Sequence, residues 1–148
     1  MKVFLLVLHG LSATLLLGAI THQALVVWWP SPSGPGFWRS LRATHAERYA
    51  RAVVVLFVFT MMIGSVLYVP FSAGVRDTYL DAHRPWATGL FEIKEHAAAL
   101  GLCLVPAYWA LWREPGHSRS RRGVTTFLLL ATWWNFVVGH VVNNLRGL

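Results

Sequence analysis

Residues 3–29 read VFLLVLHGLSATLLLGAITHQALVVWW, a run without a single Asp, Glu, Lys or Arg. A helix rises ~1.5 Å per residue, so ~20 apolar residues cross ~30 Å of hydrocarbon. This segment is long enough to do so, and three others match it: residues 52–71, 95–112 and 124–145. Together they predict an all-α integral membrane four-helix bundle that uses residues 1–148 as a single transmembrane domain. Each helix in lipid satisfies its own backbone hydrogen bonds, so no soluble core is needed. The first apolar run starts directly after Met1-Lys2. It is far longer than the ~7–15 residues of a signal-peptide h-region and no small-x-small site closes it, so it is expected to persist as the first helix.

Composition agrees. Hydrophobic residues make up 55% of the chain and charged ones 13%, and mean hydropathy is +0.49, values that exclude an ordinary soluble domain. A pI near 10.5 raises nucleic acid as a partner, but no polar face interleaves basic and aromatic residues, and none is expected. The charge reads as topology instead. Arg39, Arg42, Arg48 and Arg51 fall in the first loop and Arg113, Arg119, Arg121 and Arg122 in the third, whereas Lys2, Arg76, Arg84, Lys94 and Arg146 share the other side with Asp77, Asp81, Glu92 and Glu95. The positive-inside bias then puts both termini and the loop of residues 72–94 on the outer side, in what reads as a bacterial inner membrane. Trp28, Trp29, Trp38, Trp109 and Trp112 mark the inner boundary as an aromatic belt would.

The remaining punctuation is plain. The prolines and glycines of residues 30–36, and Pro115-Gly116, break helices, and residues 37–51 read as an interfacial helix or an extension of the second span. Pro70 is expected to end the second helix and Pro106 to kink the third. Cys103, the lone cysteine, reads as a small packed core residue.

Threaded through a bilayer, His9, His96 and His140 come out at one depth near the outer face. Ionisable residues at membrane depth are costly and face a bundle interior, a cavity or a ligand. Their neighbours are small: Gly10, Ala97, Ala98, Ala99 and Gly139. A flat macrocycle between helices needs such neighbours, although small residues also let bare helices pack closely. That second reading suits Gly10, Thr14, Gly18, His22 and Asn135, Gly139, Asn143, both spaced by four. Haem b held by two of the three histidines is the favoured reading, His96 pairing with His9 or His140, and Arg84, Lys94 and Arg146 neutralising the propionates. It would be bound without covalent attachment, since no Cys-x-x-Cys-His occurs.

A different reading takes Glu92, one helical turn before His96, with His9, His96 and His140 as a protein-only site for copper, zinc or iron. Against it, Glu92 and Glu95 suit the positive start of a helix. His22 lies ~20 Å inward of His9 and is expected to be structural, and His83 and His117 are solvated loop residues.

The opening Leu8-His9-Gly10-Leu11-Ser12-Ala13, followed by Gly18, resembles the first helix of small membrane proteins of the copper-resistance D and b-type cytochrome kind. The resemblance covers that helix and the four-helix plan. It implies haem or copper handling near the outer face, with His9 the one position carried over. Two functions follow from the residues and the resemblance together. One is an electron-transfer subunit linked to quinol or to a respiratory or photosynthetic complex. The other is a cofactor-free accessory or scaffold subunit, for which Thr60 and Gly64 on the second helix offer a face to a neighbouring membrane protein, the competing view being that this stripe packs inside the bundle. No Walker loop, dinucleotide glycine pattern, Ser-His-Asp arrangement or His-Glu-x-x-His supports a stand-alone enzyme.

Overall fold

With no proline to interrupt it, the first apolar run forms one helix, α1 (Lys2–Trp28). The computed structural model describes residues 2–29, 36 and 46–145. Residues 30–35, Trp38, Arg39, Arg42, His45 and Arg146 lie outside these, and with them most of the expected interfacial segment. The second helix, α2 (Ala46–Phe71), begins before residue 52, in keeping with an extension of that span.

Pro70 does not end α2. The chain continues as a nine-residue π-helical segment, Ser72–Leu80, and a last α turn, Asp81–His83, so the expected outer loop is largely helical. Proline removes one donor and crowds the preceding turn. Here the chain passes into the wider i→i−5 register, as the Asp81 amide bonded to the Arg76 carbonyl shows. Packing then secures the segment, because Val75 and Leu80 are buried against Phe71, Ala87 and Phe91. The break comes at Arg84 (φ −144°, ψ 56°), which proline forces out of the α region, and Pro85 occupies the first turn of α3 (Pro85–Arg113). Thus α3 starts at Pro85 rather than at residue 95. It closes at Glu114, Gly116 supplies the turn with φ +104°, and α4 (Ser118–Leu145) follows. Arg121 caps the junction, donating from Nε to the Leu111 carbonyl at 2.9 Å and from a guanidinium nitrogen to that of Glu114 at 2.7 Å.

α1 packs on α2 and α4, and α3 packs on α4 and α2, which makes an up-and-down ring in chain order. One end of the ring gathers the start of α1, the π-helical segment and the end of α4; this is the terminal end. The other, the turn end, holds the α3–α4 turn and six described arginines. Two apolar clusters hold the ring. At the turn end Leu16, Ile20, Val53, Phe57, Tyr108 and Leu128 interdigitate; at the terminal end Phe71, Val75, Phe91, Val138 and Val142 do so.

Indole-to-hydroxyl hydrogen bonds stitch the helices. Trp28 donates to Thr126 (2.8 Å), Trp133 to Thr21 (3.2 Å) and Trp112 to Thr125 (3.3 Å). His22 stacks on Tyr49 with centroids 4.1 Å apart, a structural place as expected.

Three helical runs are long and apolar enough to cross a membrane: Lys2–Trp28, Arg48–His83 and Ser118–Leu145. α3 is as long but carries Glu92, Lys94, Glu95 and His96, and is not among them. The outer faces bear Val7, Leu11, Leu15, Val55, Met62, Val66, Leu130 and Val137, all exposed, which is compatible with contact to lipid.

Three expectations about packing are corrected. Cys103 is exposed, because it sits off the stripe of Gly101, Val105 and Tyr108 by which α3 is buried. Thr14 and Gly18 face outward, and a Cβ on Gly18 would meet nothing within 4 Å, so of their stripe only His22, stacked on Tyr49, is seen to pack on another helix among the described residues. Thr60 and Gly64 face inward, Thr60 donating to Ser12 Oγ at 3.0 Å and Gly64 lying against His9, so they offer no face to a partner.

Candidate functional site

Between the two apolar clusters the ring is hollow. A cavity of about 560 Å³, within the ~300–1,000 Å³ range of ligand pockets, occupies the terminal half, and all four helices line it. Phe57 and Leu16 form its floor, and Phe71, Phe91 and Tyr68 its other wall. Phe91 stacks on Phe71 with centroids 4.6 Å apart.

His9 enters the cavity from α1, its ring laid on the bare backbone of α2 at Gly64. A Cβ there would stand 3.1 Å from His9 Cε1, so glycine is what admits the imidazole. Next to it Thr60 donates to Ser12, and Ser12 donates to the His9 carbonyl at 2.9 Å. This short relay fixes the backbone that carries the ring. His9 Nδ1 is buried and has no hydrogen-bond partner among the described residues. A buried polar atom left in that state calls for an explanation, and a ligand is one.

His140 reaches the same cavity from α4 and is exposed, as is Asn143 one turn on, so the cavity opens to the surface beside them. Asn135 and Gly139 complete that stripe, which lines the hollow, and a Cβ on Gly139 would stand 3.7 Å from Lys94 Cε of α3. From α3 come Lys94 and Glu95. Lys94 lies half-buried with its Nζ 4.4 Å from the centre of the Phe91 ring, and no carboxylate pairs with it among the described residues.

The cavity therefore brings together three of the candidates from sequence, His9, His140 and Lys94. It leaves out three. His96 is exposed on another face of α3, where its Nδ1 lies 2.7 Å from the Glu92 carbonyl oxygen. Glu92 accepts from the Arg76 guanidinium at 2.6 Å, tying α3 to the π-helical segment. Arg84 is exposed, and its guanidinium donates to the carbonyl of His83 at 3.5 Å. The seventh, Arg146, is outside the described residues. The donor set His9, His96, His140 and Glu92 is not assembled, and among the described residues no three His, Cys, Asp or Glu side chains group as a metal ion requires.

His96 stands beside Lys94 and Glu95 at the level of the cavity, but on a different face of α3. The buried positions of α3, Phe91, Ala98, Gly101, Val105, Tyr108 and Trp112, recur every three or four residues. That stripe passes through Lys94 and Glu95 and leaves His96, two residues before Ala98, ~200° away. The same periodicity applied to α4 points Asn135 and Asn143 inward with Gly139. Glu95, Asn135 and Asn143 are thus lining residues that depth alone overlooked. No protein-family model matches the chain, and no curated protein or solved structure proves similar to it.

Proposed function

We propose that the bundle lies in a membrane with its terminal end outward and serves as a b-type haem-binding electron-transfer subunit, in which His9 and His140 would hold the haem. The observation that carries this reading is one cavity lined by two imidazoles from adjacent helices, the more buried of them with an orphaned ring nitrogen. Haem b, when bound, supplies reversible one-electron transfer. The chain's own residues supply the rest. Gly64 and the Thr60–Ser12 relay hold the His9 imidazole against rotation, and Gly10, Ala98 and Gly139 keep the walls flat enough for a macrocycle. Lys94 offers a propionate a charge-assisted partner inside the apolar wall.

His96, favoured from sequence as a ligand, has no part in this pair. The outward orientation is supported by Arg48, Arg51, Arg113, Arg119, Arg121 and Arg122 at the turn end, against a terminal end where acidic residues offset the basic ones. Electrons would come from quinol in the membrane or from a neighbouring subunit.

A reduced-minus-oxidised visible spectrum of the purified protein tests the reading. A low-spin b-type spectrum is expected, lost in His9→Ala and in His140→Ala and kept in His96→Ala. Retention of that spectrum in both of the first two variants overturns the site. Orientation is tested separately. In a Cys103→Ser background, cysteines placed at Ser33 and Ser118 should resist an outside-only thiol reagent.

A further inference from the structure

At the turn end, on the outside of the bundle, α2 and α3 part to leave a groove of about 550 Å³ that the haem reading does not use. Its walls are apolar: Val54 and Val55 from α2, Val105 and Pro106 from α3. Its mouth is cationic, with Arg51 on one helix and Arg113 on the other, Trp109 lying beside them. From Val105 to Arg113 is eight helical steps, ~12 Å along the axis. The groove is therefore a slot about half as long as an acyl chain, with two guanidinium groups at one end. We infer that it is a binding site for an anionic phospholipid, the phosphate between Arg51 and Arg113 and one acyl chain along Pro106.

Charge complementarity chooses this occupant. Neither Arg51 nor Arg113 makes an ion pair among the described residues, and both are exposed. The Arg113 guanidinium carbon lies 5.5 Å from the centre of the Trp109 ring, a stacking that orients its edge donors while leaving them open. Two of the other four described arginines at this end are engaged elsewhere. Arg121 is taken up by carbonyls at the end of α3, and Arg122 sits over Trp28 at 5.6 Å. The carbonyls that Arg121 covers would otherwise repel an anion at a helix C-terminus. A second protein helix fits less well, since it would have to bury two unpaired guanidinium groups, whereas a phosphate meets both and leaves the chain in hydrocarbon.

The inference rests on the membrane placement proposed above and is independent of haem. The full chain is reconstituted in vesicles of equal parts phosphatidylglycerol and phosphatidylcholine, extracted gently, and examined by native mass spectrometry for retained lipid. The wild type should keep phosphatidylglycerol in preference. The R51Q/R113Q variant should lose that preference by at least about tenfold, two headgroup contacts being removed. Val55→Trp, which fills the groove and leaves both charges, should lose it too, and Arg119→Gln should not. Equal retention of the two lipids by the wild type, or full preference in R51Q/R113Q, overturns the proposal. So does displacement by inorganic phosphate at the lipid's own concentration, since a bare anion site would then suffice. If the chain instead washes off membranes in alkaline carbonate, the membrane placement itself has failed, an outcome separate from the others.

Discussion

The two halves of this bundle are built on opposite plans. At the turn end the helices meet without gaps: Ile20, Val53 and Leu128 have no exposed surface, and Phe57 presses so close to Gly101 that a Cβ there would lie 2.7 Å from its ring. At the terminal end the same four helices stand around a hollow lined by histidine, lysine, glutamate and asparagine. Lipid tails are as apolar as leucine, so helices in a bilayer are held by close packing and hydrogen bonds rather than by expulsion of water. The closed half supplies that packing, together with three tryptophan-to-threonine hydrogen bonds. The open half forgoes it, which makes sense if something other than protein fills the space.

Truncation of a leucine in each half should give the largest contrast. Leu128→Ala carves a void where nothing can collapse and should cost about 2–5 kcal/mol. Leu67→Ala, beside space that already exists, should cost distinctly less. Unfolding in detergent followed by circular dichroism measures both, and equal losses would break the comparison.

Glycine substitutions extend it at smaller scale. Gly101→Ala must displace Phe57 and should cost about 1–3 kcal/mol. Gly18→Ala, with nothing near its new methyl, should be neutral or stabilising by up to ~1 kcal/mol. A thermal melt of each variant suffices, and a destabilised Gly18→Ala would show that this stripe is covered after all.

The smallest effect on stability should come from Gly64→Ala. The new methyl presses on His9 Cε1, and the ring has an open cavity into which to move by a few tenths of an ångström. Stability should change by less than about 1 kcal/mol. Cofactor occupancy after purification should fall by contrast, and an unchanged spectrum would sever the link between Gly64 and the site.

Much of this was legible in the chain. Four apolar stretches, two helical hairpins, the arginine-rich end and the shared level of His9 and His140 along the bundle follow from length, spacing and charge. The terminal connection was not legible. Residues 72–94 are rich in charge and follow a proline, the marks of a loop, yet their helical state depends on a change of hydrogen-bond register and on the burial of Val75 and Leu80 by distant residues. The inward face of α3 was present in the spacing of Phe91, Ala98 and Gly101, but polar Lys94 and Glu95 lie on it while His96, a more tempting ligand, does not. Gly64 was read as exterior because nothing local reveals which helix face meets an imidazole from another.

The joint at Arg84 has a mechanical meaning. A single non-helical residue connects the run that ends at His83 to the first turn of α3, and the Arg76–Glu92 bridge clamps the two a few turns further on. Such a joint has no slack. These two helices cannot draw apart at the terminal end without melting a turn, so they act there as one stiff wall. His9 and His140 ride on the other two helices, α1 and α4. The hollow opens instead beside His140 and Asn143, so the way in runs past the end of α4 and leaves the stiff wall undisturbed.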